Sequence, residues 1–228
     1  GVIKSGGRTR RAAKMVILDI DHPDIVRFIE CKGRAELQAH AIHYAGFGAD
    51  GPDCEAYHAV RFQNANHSVR VTDEFMRAVK EDKDWTVRAV TDKRPIKTYR
   101  ARELYDLITH HAWLCGDPGV QFHTTINDWH TSKTDGDIHA SNPCSEYMFL
   151  NDTACNLASI NLCQHETADG AFDANAFQQT IDVTITAMDL VARNSGYPTK
   201  GQAANAHRHA TLGLGYANLG AALMRRGM

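Results

Sequence analysis

At 228 residues, with 43% hydrophobic and 23% charged residues, the chain has the size of one large domain or two small ones and the balance of an ordinary globular protein. Its formal net charge of −2 argues against a general nucleic-acid binder, which carries a basic excess. No apolar run approaches a membrane span and no signal-peptide pattern opens the sequence. Six cysteines without CxxC pairs suit a reduced, cytoplasmic setting better than a disulfide framework.

In chain order, Gly6 and Gly7 stand beside Arg8, Arg10 and Arg11. Glycine permits close backbone approach and guanidinium groups suit phosphate, although such a string read alone is first a solvated turn. Residues 12–20 predict a strand buried on both faces. Asp21 or His22 then caps a helix with Pro23 in its first turn and an inward stripe of Ile25, Phe28 and Ile29. A second helix is expected at 34–45 and a loop at 46–56, where Cys54 has no assigned role. Residues 57–62 and 68–71 read as extended around the amide-rich bend Gln63 to Asn66, which suits either a ligand or its own backbone. Thr72 or Asp73 caps a short helix. Residues 85–90 and 96–99 predict a hairpin, followed by a helix at 101–114 with Cys115 packed at its end. Residues 119–126 predict a strand, and a polar stretch leads to residue 140. Beyond it come a strand at 156–162, a loop at 164–171, and a helix at 174–194 capped by Asp173. That helix carries Phe177, Ile181, Ile185, Met188 and Val191 on one face. A strand at 210–216 and a helix at 217–226 complete the order. Strands alternating with helices give an α/β class with a mostly parallel sheet.

Gly213, Gly215 and Gly220 do not fit G-x-G-x-x-G, so no dinucleotide fold is expected. His40 and His43 would share a helix face, and His207 and His209 a strand face. Neither pair has a cysteine or carboxylate at a familiar interval, so no protein-ligated metal is expected.

The chemistry-bearing stretch is Ser141 to Tyr147. Asn142, Cys144 and Glu146 alternate there, and in an extended segment a period of two points them to one side. Pro143, lacking an N–H, favours a loop or exposed turn. A hydrogen-bonding amide, a thiol and a potential base would then meet at one tip. A lone cysteine as a small buried hydrophobe, and Asn-Pro as a mere turn, remain the alternatives on these residues alone.

The wider string SNPCSEYMFLNDTACNLASINL at 141–162 resembles the active-site finger of the cobalamin-dependent (class II) ribonucleotide reductases. GGRTRRAAKM at 6–15, DHPDIVRFIE at 21–30, FQNANHSVRVTDEFM at 62–76 and TLGLGYANLGA at 211–221 resemble the same family in the same order. His67 departs from it, since the family usually has asparagine there. The resemblance implies part of a ten-stranded α/β barrel whose central finger loop carries the catalytic cysteine. Residues 1–228 would be one partial catalytic barrel domain that continues on both sides in the family.

It further implies that Cys144 is the thiyl-radical residue, generated with adenosylcobalamin, and that Glu146 is the general base on the ribose 3′-hydroxyl. Asn142 would hydrogen-bond the substrate and hold the finger. Cys155 would be half of a redox dithiol whose partner lies outside the chain, because Cys31, Cys54, Cys115 and Cys163 lack the family context for it. Ser5, Gly6, Gly7, Arg8, Thr9 and Arg10 would form the loop linking a deoxynucleotide effector to the substrate base. The implied partners are a ribonucleoside di- or triphosphate, a thioredoxin-like reductant and a second copy of the protein, with no nucleic acid or membrane. The fragment by itself is expected to be inactive. Competing readings are the large subunit of a class I reductase, a truncated non-catalytic nucleotide-binding remnant, and, less well matched, a glycyl-radical reductase.

Overall fold

The computed structural model describes residues 4–5, 10–11, 13–47 and 54–228. The chain forms two compact units, Gly1–Phe149 and Leu150–Met228. The first contains β1 (Lys4–Ser5), β2 (Arg10–Arg11), β3 (Met15–Asp19), α1 (Ile25–Tyr44), α2 (Glu55–Ala59), β4 (Asn66–Val71) and α3 (Asp73–Lys80). It continues with β5 (Asp84–Arg88), β6 (Pro95–Arg100), α4 (Ala101–Cys115), β7 (Gly119–Phe122), α5 (His123–Asp128), β8 (Ala140–Ser141) and β9 (Met148–Phe149). The second contains β10 (Cys155–Asn161), α6 (Ala174–Asn194), α7 (Lys200–His209), β11 (Thr211–Ala217) and α8 (Leu219–Arg225).

The first unit is built on a parallel sheet in the order β3-β4-β7, with Ile17 opposite Ser68 and Arg70 opposite Gln121. Helices connect its strands, as a parallel sheet requires. Because β4 is flanked on both sides, residues 67–71 are all buried, and strand periodicity sorts them. Val69 and Val71 join Ile20, Ile25, Ile29, Phe75, Val79, Val87, Leu104 and Ile108 in the core. Asn66, Ser68 and Arg70 take the other face. The predicted β5–β6 hairpin and the Thr72 cap are present, the Thr72 hydroxyl accepting from Phe75 N at 3.3 Å. The Cys115 thiol donates to the carbonyls of His111 and Asp117, a packing role as expected.

Some expectations fail locally. In place of a break near residue 33, α1 runs unbroken through Gly33. A Cβ built there would lie 2.2 Å from His111 Nδ1 on α4, so this glycine allows two helices to approach and packing overrides its low helix propensity. The start of the expected strand at residue 57 is instead helical in α2. Tyr57 donates to Glu36 Oε1 at 2.5 Å, which fastens α2 to α1, and the adjacent carboxylate pushes the tyrosine pKa up to about 12. The strand expected to reach residue 126 ends at Phe122 and gives way to α5. Asn127 there accepts from Ile138 N at 2.8 Å and donates to Ile138 O at 3.1 Å, a long-range clip invisible to alternation. The expected strand face for His207 and His209 is corrected to a helix, with Thr199 capping α7. At about 100° per residue the two imidazoles point to different sides.

The second unit pairs β10 and β11 in parallel, with Cys155 opposite Thr211 and Asn161 opposite Ala217. Asp173 caps α6 as expected, accepting from Ala176 N at 2.9 Å. The inward side of α6 is centred on Met188 and Ala192, and Val191 is exposed. Among the described residues no closed barrel forms. The strands make one three-stranded parallel sheet, one parallel pair and three antiparallel pairs. No helix among them is long and apolar enough to cross a membrane.

Burial holds His67 and His111 below the ordinary imidazole pKa, and His123 is lowered by burial and then by Arg70. A depressed folded pKa means that the stability contribution is fully present above the unfolded value of about 6.5 and is lost as pH falls through the folded value. The denaturation midpoint is therefore expected to fall between about pH 7 and pH 5.5, before most carboxylates titrate. His67→Phe, measured by urea titration at both pH values, should weaken that dependence. Gly33→Ala is expected to lose on the order of 1 kcal/mol or more in the same assay, since overpacking outweighs alanine's helix preference. Gly201→Ala, whose nearest neighbour is Asp152 Oδ2 at 3.5 Å, should instead gain stability.

Candidate active site

The polar face of β4 supports the residues singled out in the sequence. β8 and β9 form a hairpin with Ala140 opposite Phe149 and Ser141 opposite Met148. Asn142 N donates to Tyr147 O at 3.4 Å, and Asn142 Oδ1 accepts from Tyr147 N at 3.0 Å. Ser145 N donates to Asn142 O at 3.0 Å, closing a turn with Pro143 and Cys144 at its centre. The fixed φ of proline suits the first central position. Ser145 follows with φ +61°, in the left-handed region, and returns the chain toward β9.

Asn142, Cys144 and Glu146 therefore share one loop, but a turn brings them there, not the alternation of an extended segment. Proline supplies the reason, because it lacks the donor a ladder needs and pre-forms the bend. Cys144 and Glu146 are exposed, and Asn142 is half-buried. With Oδ1 committed to Tyr147, the Asn142 amide retains its Nδ2 donors for a ligand. The thiol at the apex and the carboxylate two residues on are both open to one.

The amide-rich bend before β4 serves this turn, since Asn66 Nδ2 donates to Pro143 O at 3.1 Å. His67 points to the opposite face. It is buried there, stacks on Phe28 with ring centroids 4.8 Å apart, and lies 3.4 Å from Cys31 Sγ. Burial raises the Cys31 thiol pKa, so this pair belongs to the packing of α1 on the sheet. A cavity of about 920 Å³ lined by Val16, Leu18, Phe28, Cys31, Phe62 and His67 also lies on the helix-bearing side, away from the turn.

Cys155 opens β10 in the second unit, half-buried. Cys163 lies past the far end of the same strand, roughly 20 Å or more away at the rise of an extended chain, so these two thiols cannot pair. Ser5 and Arg10 are opposite one another in β1 and β2. Gly6, Gly7, Arg8 and Thr9 of the expected effector loop lie outside the described residues.

Sequence reading missed two residues beneath the turn, Arg70 and Gln121, and gave Ser141, the first residue of the stretch, no role of its own. Arg70 is 3% exposed, with Nε donating to His123 Nδ1 at 2.9 Å and Nη1 to Gln121 Oε1 at 3.0 Å. Its Nη2 donates to Ile138 O. Gln121, also 3% exposed, donates from Nε2 to Ser141 Oγ at 2.7 Å. An arginine within the otherwise buried run of β4 was the available signal, because a charge rarely enters a central strand without a task.

The ribonucleotide reductase barrel-domain model matches residues 1–228. The vitamin B12-dependent ribonucleotide reductase of Rhodopirellula baltica is 50% identical over 230 residues, which cover all of this chain and 22% of that protein. The protein of the same name in Streptomyces clavuligerus is 48% identical over 233 residues, covering all of this chain and 24% of the relative. The vitamin B12-dependent ribonucleoside-diphosphate reductase of Mycobacterium tuberculosis is 37% identical over 228 residues, covering 98% of this chain and 28% of the relative. The chain thus spans about a quarter of the length of the curated relatives it matches. By the match along its whole length, the chain belongs to the ribonucleotide reductase barrel-domain family.

Proposed function

We propose that this chain is the part of a cobalamin-dependent ribonucleotide reductase that carries its reactive thiol, within a larger catalytic barrel that closes around the finger. The observation that carries the reading is an exposed Cys144 at the apex of a pinned turn, flanked by Asn142 and Glu146, in a chain of this family. A thiol suits radical chemistry because its S–H bond is close in strength to a ribose C–H bond, so hydrogen passes between them reversibly.

The donor set fits an external radical source, since the Cys144 thiol is reachable from solvent. Adenosylcobalamin, when bound, supplies the radical that takes the hydrogen atom of that thiol. The Cys144 sulfur then removes the hydrogen from C3′ of a bound ribonucleotide. Glu146 takes the 3′-hydroxyl proton and returns it to the 3′ oxygen at the end of the cycle, while the 2′-hydroxyl leaves as water with one proton of the dithiol and C2′ receives the other hydrogen. Asn142 orients the ribose through its free amide N–H groups. Cys155 and a second thiol supplied from outside this chain give two electrons and two protons and close to a disulfide, and Cys144 returns its hydrogen to C3′. A thioredoxin-like protein would reopen the disulfide. Residues 5–10 would report a deoxynucleotide effector to the substrate base, within a cytoplasmic homodimer.

The vitamin B12-dependent names of the relatives favour this reading over a class I large subunit, which takes its radical from a partner protein. In the full-length protein, deoxynucleotide formation is expected to require adenosylcobalamin. Product formed without it would establish the class I alternative, and no product under any condition would favour a non-catalytic remnant.

Cys144→Ser should abolish both product and the cofactor-dependent radical signal seen by electron paramagnetic resonance. Glu146→Gln should lower kcat by about 10²- to 10⁴-fold, the usual range for a lost acid–base group. Cys155→Ser should keep the radical signal while removing turnover with the dithiol reductant. The 228-residue chain alone, given cofactor, substrate and dithiol, should yield no product, and robust Cys144-dependent turnover would overturn the external position of the second thiol.

A further inference from the structure

The turn that presents Cys144 is joined to the centre of the sheet by one directed hydrogen-bond chain. Arginine has only donors, so Arg70 can meet Gln121 only at its amide oxygen, which fixes the amide orientation and aims Nε2 at Ser141. The Ser141 hydroxyl accepts that bond, donates its proton to Asn142 O at 2.8 Å, and lies 3.1 Å from Ser145 Oγ. Asn142 O is also the acceptor that closes the turn from Ser145 N. The polarity of the whole chain is therefore set by a guanidinium buried in β4.

We propose that Gln121 is a positioning residue for the reaction: oriented by Arg70, it sets the direction of the Ser141 hydroxyl and thereby the geometry of the turn that aims the Cys144 thiol. Neither Gln121 nor Ser141 is assigned any contact with the substrate. The role rests on the reading of Cys144 as the reactive thiol. Hydrogen transfer is steep in distance and angle, and a misplacement of about 1 Å in a reacting group costs on the order of 10²-fold in rate.

The informative substitution is Gln121→Glu. A carboxylate keeps and strengthens the bond to Arg70 but has no N–H for Ser141. The serine hydroxyl must then donate to residue 121, and Asn142 O loses that bond. In the full-length protein with adenosylcobalamin, ribonucleotide and a dithiol, Gln121→Glu is expected to lower kcat about 10- to 100-fold. The KM for nucleotide should stay within about 2-fold and the thermal midpoint should not fall, a combination that loss of packing would not give. Ser141→Ala should lose kcat similarly, and the double variant should be no slower than the slower single one.

Unchanged kcat in both single variants, or fully additive losses in the double, would overturn the relay. If Gln121→Glu lowers the thermal midpoint, Ser141→Ala decides by the same kcat and KM readout. Cys144→Ser run in parallel separates the two levels. Activity surviving that substitution would remove the proposed function itself. Activity lost there, but normal in Gln121→Glu and Ser141→Ala, would remove only the role of Gln121.

Discussion

A guanidinium buried at the middle of a parallel sheet must find acceptors for its donors inside the protein, and Arg70 finds them on three different segments. His123 at the start of α5, Gln121 on β7 and the carbonyl of Ile138 ahead of β8 all converge on it. Asp19 and Asp137 lie near enough to favour its charge, yet burial outweighs them and lowers its pKa. The cation is thus held mainly by neutral dipoles, a costly arrangement unless every bond is made. That demand ties the segment before the β8–β9 hairpin to the strands beneath it and fixes where the hairpin leaves the sheet.

The two faces of β4 divide the labour of the first unit. His67, Val69 and Val71 build the helix-covered side, where aliphatic burial supplies most of the stabilisation at about 25 cal/mol per Å² of apolar surface. Asn66, Ser68 and Arg70 build the polar side, where hydrogen bonds specify position more than they add stability. A single strand thereby links the core to the turn: whatever shifts β4 shifts Asn66 under Pro143 and Arg70 under Gln121 together. The exposed Cys144 thus sits on a turn that the central strand holds through Asn66 and Pro143.

Periodicity and capping residues located the elements well where local chemistry decides them. Thr72, Asp173 and the β5–β6 pair fall where the sequence put them. Three of the failures share one cause. Gly33 continues a helix because His111 on another helix packs over it. Residues 123–128 are helical while Asn127 clips Ile138, and α2 is held by Tyr57 on Glu36. In each case a partner distant in sequence overrode the local preference.

The candidate stretch stands out in the sequence because it concentrates rare residue types, Asn142, Cys144 and Glu146 about a proline, in a long string that resembles one family. From the sequence alone came the α/β class, the family, and the residues on which chemistry would centre. The turn that Pro143 favours was legible too, but only the tertiary structure showed that it replaces the extended alternation altogether, and that β4, β7 and β8 supply the groups beneath it. The physical reason is directional. A side-chain hydrogen bond between residues 51 or 20 positions apart, such as Arg70 to Gln121 or Gln121 to Ser141, leaves no periodic trace in a sequence. It exists only once parallel pairing has set Arg70 beside Gln121 on a face from which water is excluded.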